Sequence, residues 1–306
     1  MATEHDRWSR WLLERRDGGN ERQRAISLDR LSVIRDRVLD AAEPLDGATL
    51  LDVGAGDGLI GLAALERVGP GGRVIFCDVS EPLLEQCRQL VAAQGDLERA
   101  RFVQAEAEDL AAIADTSVDV VTTRSVLIYV VEKADAFEAF ARVLRPGGRI
   151  SLFEPINRLM YPEAEDRFWG YRVPAVSDLV RKVRSRFAGD DPAYRIAMMD
   201  FDDRDLARLA EAAGFETVHV ECHIDVSAGS WAHPVNLDAL LDTAPNPNAP
   251  TVREAMTDAL TESERVRFLD ALARAVADDD SVRRMAAAYV LASKAEDGAR
   301  DPARHS

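Results

Sequence analysis

The sequence predicts an α/β fold, a mostly parallel sheet with helices on both faces. Three observations predict it. LLDVGAGDGLIG, residues 50 to 61, reads as a buried strand that breaks into a glycine turn and re-enters as a helix, with Leu59, Leu62 and Leu65 at helical spacing. RVIFCDVS, from Arg73 to Ser80, repeats the pattern of an apolar strand ending in an acid before a helix. Val118, Val120 and Val121 form the near-continuous apolar run of a parallel strand covered on both sides.

A chain of 306 residues, 47% hydrophobic and 30% charged, has the balance of a folded domain with appendages. Its 38 Lys and Arg against 54 Asp and Glu give a net charge of −16. That argues against a broad nucleic-acid surface, where binding rests on neutralising phosphates, and against docking on an anionic membrane. Cys77, Cys87 and Cys222 show no C-x-x-C spacing and cannot all pair, so a reduced interior is expected. The first residues, MATEHDRWSRWLLERR, lack the apolar core of a secretion signal, and no apolar run approaches the ~18 residues that span a bilayer. A soluble, cytoplasmic protein is the expectation.

In chain order, residues 3 to 16 predict a short helix with Trp8, Trp11 and Leu12 on one face, broken by DGGN at 17 to 20. A second helix follows from Glu21 to Ala42, with Leu28, Leu31, Ile34, Val38 and Leu39 at helical spacing. The strand at Leu50 and Leu51 ends near Asp52, and Gly54, Gly56 and Gly58 come at every second position. Alternating glycines leave room for a ligand against the main chain, and the next helix points its unpaired N–H groups toward it. An acid beside such donors suits a ligand with both an ammonium and a carboxylate. A dinucleotide turn is the competing reading, because Gly56, Gly58 and Gly61 also spell G-x-G-x-x-G.

GPGG at 69 to 72 turns the chain into the second strand, Val74 to Phe76, ending in Asp78, 20 positions beyond Gly58. A carboxylate there accepts both ribose hydroxyls of either ligand. Ser80 offers the N-cap of the following helix. ARFVQAEAEDL, 100 to 110, predicts the third strand running into a turn, and SVDVVTTRSVLIYV, 117 to 130, the fourth. A helix from Glu132 to Val143 then runs into LRPGGRISLFEP, 144 to 155, where Pro146, Gly147 and Gly148 make a tight turn before the fifth strand. Beyond it, 156 to 200 carries Tyr161, Phe168, Trp169, Tyr171 and the basic run RKVRSR at 181 to 186, read as a solvated helix face ahead of an anion-greeting patch. Residues 201 to 215 predict a helix ending at Gly214, 217 to 226 a strand, and 286 to 295 a last, antiparallel strand. Two helix signals, TVREAMTDAL and SERVRFLDALARAV, lie between the last two.

Acid-x-G-x-G-x-G after the first strand and helix, L-R-P-G-G, strand at the fifth together resemble the class I S-adenosylmethionine-dependent methyltransferases of the type 11/25-like kind, closely over 46 to 155. The resemblance implies a Rossmann-like seven-stranded sheet with its last strand antiparallel and with helical lid insertions. It implies an N-terminal helical cap at 1–45, a donor-binding core at 46–155, a lid insertion at 156–200, the rest of the core at 201–228 and 286–296, a helical insertion at 229–285 and a disordered tail at 297–306. For the donor it implies Asp52, Gly54, Ala55, Gly56 and Gly58 in the loop, Asp78 and Val79 at the ribose, and Glu106 with Ala107 at the adenine. Glu108 and Asp109 are alternatives to Glu106. Arg124 falls near the methionine end and Tyr129 toward the acceptor, against the plainer readings of a solvent-facing Arg and a core Tyr.

Methyl transfer from a sulfonium is an in-line displacement, in which alignment supplies on the order of 7–11 kcal/mol at most. A base is needed only for some acceptors. The candidates are His223, His233, Glu154 and Tyr129, with His219 behind them. His219 and His223 share a strand face but have no third ligand, so no metal is expected. A small-molecule acceptor fits the acidic composition, and pairing into a homodimer stays open. Two other classes stand beside this reading: an NAD(P)-dependent oxidoreductase, and a non-catalytic subunit that binds S-adenosylmethionine for regulation. Arsenic methylation by several thiols is disfavoured, because Cys77 falls inside a strand.

Overall fold

The computed structural model describes residues 5–188, 192–229 and 236–296. Its strands are β1 (Thr49–Val53), β2 (Arg73–Asp78), β3 (Ala100–Gln104), β4 (Val118–Arg124) and β5 (Leu144–Pro155). A short pair follows, β6 (Arg167–Phe168) and β7 (Tyr171–Arg172), and then two long strands, β8 (Thr217–Ala228) and β9 (Val282–Ser293). The helices begin with α1 (Arg7–Arg10), α2 (Glu21–Ala41), α3 (Leu59–Arg67), α4 (Glu81–Gln94), α5 (Lys133–Val143) and α6 (Asn157–Met160). They continue with α7 (Ser177–Arg184), α8 (Pro192–Ala197), α9 (Asp203–Ala212), α10 (Leu237–Leu241), α11 (Val252–Ala259) and α12 (Glu262–Ala277).

The seven-stranded sheet has the order β3-β2-β1-β4-β5-β9-β8. Strands β1 to β5 pair in parallel, and β9 runs antiparallel to β5 from Arg149↔Ser293 to Pro155↔Ala287. This is the predicted Rossmann-like methyltransferase sheet. The chain divides into two compact units. One holds residues 33–156, 197–222 and 287–306, and the other 1–32, 157–196 and 223–286.

In the first unit, β1 and β4 are buried on both faces because helices cover each side. Gly61 is a glycine because α3 lies close on β2: a β-carbon there would come 2.3 Å from the Phe76 ring. Helix α4 starts where predicted, with the Ser80 hydroxyl accepting from the Leu83 N–H, and ends at Gly95. The LRPGG turn differs from expectation, for it lies inside β5. Between the pairs Val118↔Leu144 and Val120↔Arg149 the one intervening residue of β4 faces four of β5, so Pro146–Gly148 bulge out of a continuous strand. The end of α2 is fixed to β5 by Ser151 Oγ on Val38 O at 2.7 Å and by the Arg149 guanidinium on Ala42 O and Pro44 O. Lys133, buried at the start of α5, donates to Val130 O, Ala197 O and Asp200 Oδ1 at 2.8–3.0 Å, which satisfies its charge.

In the second unit, the segments before and after β8 share one core. Phe168 meets Phe268 edge-on at 5.2 Å, and Val180, Val183, Met256 and Leu272 close around them. The expected first helix is α1 followed by a wider turn over Trp11–Arg15, with Trp11 Nε1 donating to Ala244 O at 2.9 Å. Capping boxes Thr251–Glu254 and Thr261–Glu264 start α11 and α12. Three of the four cations in the basic run are paired within the unit: Lys182 with Glu264, Arg184 with Glu163 and Arg186 with Asp258. The last strand starts four residues before the expected 286, at Val282. The tail at 297–306 lies outside the described residues.

Candidate active site

The first unit gathers the predicted donor residues where β1 to β4 end. The backbone leaves β1 through Gly54 at φ 69°. A β-carbon on Gly54 would lie 2.2 Å from Val126 Cγ2, so the donor loop and the turn after β4 interlock there. Ala55 N donates to Cys77 O at 2.9 Å, which ties the loop to the end of β2. Asp78 is buried, and its two oxygens accept from Gly56 N at 2.8 Å and Ser80 N at 2.9 Å. Val79 beside it keeps an exposed apolar side chain. On the other flank, Ala105 N donates to Asp78 O, and a turn brings Asp109 N to Glu106 O at 3.2 Å. Glu106 is exposed and Ala107 buried. Of its alternatives, Asp109 spends an oxygen on Ala111 N, whereas burial raises the half-buried Glu108 carboxyl, with Glu106 and Asp135 adding to the rise.

Asp52 does not reach out as a ligand acid. It is buried, with Oδ2 accepting from Gly61 N at 2.9 Å and Oδ1 from Thr122 Oγ1 at 3.0 Å. Burial pushes it up to about 7, against the pull of those two bonds and of nearby Arg124. Arg124, the last residue of β4, is half-buried. Asp52 thus fixes the start of α3 and with it the glycine loop, a role different from the one expected of a loop-tip acid.

Glu154 shows the same departure on the opposite flank. It is fully buried, and Oε1 accepts from Val126 N at 2.9 Å, Leu127 N at 3.0 Å and Thr123 Oγ1 at 3.3 Å. Oε2 accepts from Ile128 N at 3.2 Å. Burial raises it to about 7. As a candidate base it is corrected: its oxygens are turned inward to the turn that carries Tyr129. His219 is exposed, its Nε2 3.3 Å from Glu221 Oε1, and His223 lies half-buried farther along β8. His233 falls outside the described residues. Among the described residues no group of three His, Cys, Asp or Glu side chains is placed to hold a metal ion. Burial raises both Cys77, to about 12, and Cys87, so neither is a thiolate; Cys87 Sγ instead donates to Gly56 O at 3.3 Å. That support of the loop, and the two threonine hydroxyls, were not readable in the sequence, because they depend on which strands become neighbours.

The ubiE/COQ5 methyltransferase family model matches residues 20–232. The chain belongs to that family. The assignment decides the glycine turn for S-adenosylmethionine over a dinucleotide. This member of the ubiE/COQ5 family is 34% identical over 179 residues to the ubiquinone/menaquinone biosynthesis C-methyltransferase UbiE of Stutzerimonas stutzeri, across 56% of this chain and 66% of that protein, just under two thirds of its length. It is 31% identical over 186 residues to the Klebsiella pneumoniae protein of the same name, across 59% of this chain and 71% of that one. In fold it is similar to a solved geranyl diphosphate methyltransferase in complex with S-adenosylmethionine, with a TM-score of 0.50 at 19% identity over 93% of this chain and 94% of the other. No helix among the described residues is long and apolar enough to cross a membrane.

Proposed function

We propose that this S-adenosylmethionine-dependent methyltransferase places the methyl group on a ring carbon of a small molecule made electron-rich by a phenolic oxygen. The observation that carries the carbon acceptor is the 31–34% identity, over 179–186 residues, to relatives named as ubiquinone/menaquinone biosynthesis C-methyltransferases. When bound, S-adenosylmethionine supplies a methyl on a sulfonium, already a good leaving group. The residues present fit it. Asp78 has the acceptor sites of a carboxylate at the end of β2, suited to the two ribose hydroxyls. Val79 offers an apolar surface to the adenine, and Glu106 with the Ala107 N–H its polar edge. Gly54, Ala55, Gly56 and Gly58 let the donor lie against backbone, with the start of α3 behind it. Arg124, at the end of β4, would meet the methionine carboxylate. Tyr129, on the turn after β4, is the group for orienting the acceptor or taking its proton. A homodimer belongs to the same proposal and is read by light scattering.

The test combines the protein with methyl-labelled S-adenosylmethionine and three acceptors: a naphthoquinol lacking its ring methyl, a phenol with no open ortho carbon, and an amine. Mass spectrometry of the products locates the label. Label on the ring carbon of the naphthoquinol is expected. Label on oxygen or nitrogen overturns the carbon assignment. Donor binding with no transfer to any acceptor favours the regulatory subunit.

A further inference from the structure

We propose that Glu154 is a positioning residue of the donor site, whose carboxylate shapes the turn after β4 on which the glycine loop rests. The inference rests on the donor-site reading above and deepens it. Three consecutive backbone N–H groups, from Val126, Leu127 and Ile128, converge on the Glu154 carboxylate at 2.9–3.2 Å, and the Thr123 hydroxyl adds a fourth donor. Such a concave run of N–H groups is a nest for acceptor oxygens, and here it is filled by the protein's own side chain. The nest opens with Ser125 at φ 58°, a left-handed conformation that a residue with a β-carbon holds only when its surroundings enforce it. Ser125 N donates to Phe153 O at 2.8 Å, so consecutive residues of β5 grip the bend on both sides.

The bend matters to the donor because of what it carries. Val126 fills the space beside Gly54, where a β-carbon would come 2.2 Å from its methyl. A shift of this turn therefore reshapes the loop that meets the donor's methionine end. Tyr129 rides on the same turn, closed by its N–H to Val126 O at 2.9 Å. Glu154 itself has no exposed surface, which separates positioning from acid–base work on an acceptor.

The experiment is isothermal titration of S-adenosylhomocysteine into the full chain and its variants, at a temperature where circular dichroism shows each folded. Under that condition a contact that serves only stability leaves the affinity unchanged. Glu154→Gln keeps the shape but removes the charge and turns an amide toward N–H donors. It is expected to weaken binding about tenfold or more. Adding Ser125→Gly, which removes the cost of the left-handed bend, is expected to recover at least about a third of that loss on a logarithmic scale. A folded Glu154→Gln variant with affinity within about twofold of the wild type overturns the positioning role and leaves the donor reading standing. A wild type that ignores S-adenosylhomocysteine at millimolar concentration overturns the donor reading and this inference with it. Should Glu154→Gln not fold, Thr123→Val and Thr123→Ser take its place. Weakening of about threefold in the valine variant alone supports the role, and equal affinity in both overturns it.

Discussion

Asp52 and Glu154 lie on the strands either side of β4, each accepting from one of its adjacent threonines, Thr122 and Thr123. Burial raises both to about 7, so the folded chain holds these protons more tightly than the unfolded one. Their contribution to stability is complete below the unfolded value near 4 and is lost as pH rises through about 7. Asp52→Asn should therefore gain melting temperature relative to the wild type between pH 5 and pH 8, and parallel melting curves across that range would contradict this. Asp78 carries a different expectation, since its carboxylate faces the ribose in the reading above. Asp78→Ala should weaken S-adenosylhomocysteine about tenfold to a hundredfold by titration, for two charge-assisted bonds lost. Gly54→Ala combines a positive φ with a 2.2 Å collision at Val126, and both strain and affinity should show it. A loss of about 1–3 kcal/mol in denaturant unfolding, with donor binding at least tenfold weaker, is the expected result. Of these residues Gly54 and Asp78 were legible from spacing alone. The inward turn of Asp52 and Glu154 was not, because a side chain's partner across a parallel sheet depends on register.

Between strand and helix, the local chemistry of the chain was easier to read. Ser80 before α4 and the glycines after β1 each act through neighbours within a few residues, and the structure uses them so. In sequence the bulge at Pro146–Gly148 looks like a turn before a strand, because proline and glycine announce a break without saying whether pairing resumes. Gly61 belongs to this scale too. Its φ is ordinary, and its constraint is the approach of α3 to β2. Gly61→Ala should push the helix from Phe76 and cost about 1–3 kcal/mol in thermal unfolding, with the effect reduced in a Phe76→Leu background. An additive pair of losses would show that the contact is not the cause.

Across the whole molecule, composition restricted the partners more than it identified them. A net charge of −16 leaves little attraction for phosphates, and a labelled tRNA is expected to show no saturable binding at 100 mM salt. Saturable binding would reveal a basic face that composition conceals. Phe168 and Phe268 stand a hundred residues apart in the chain yet meet in one core, a pairing that periodicity in either stretch cannot disclose. The same long range governs how the sheet is completed. Strand β9, residues Val282–Ser293, lies inside the order between β5 and β8, not at its rim. During synthesis every other strand emerges first, so the nascent chain leaves the ribosome with an open slot at the side of β5. Five strands can assemble as they appear, but the two edges flanking that slot stay bare until residue 293 is free of the exit tunnel. Closure of the sheet then waits on its last strand, and a stall or nick just ahead of β9 would leave a sheet with a gap in its middle, open to strands of its neighbours.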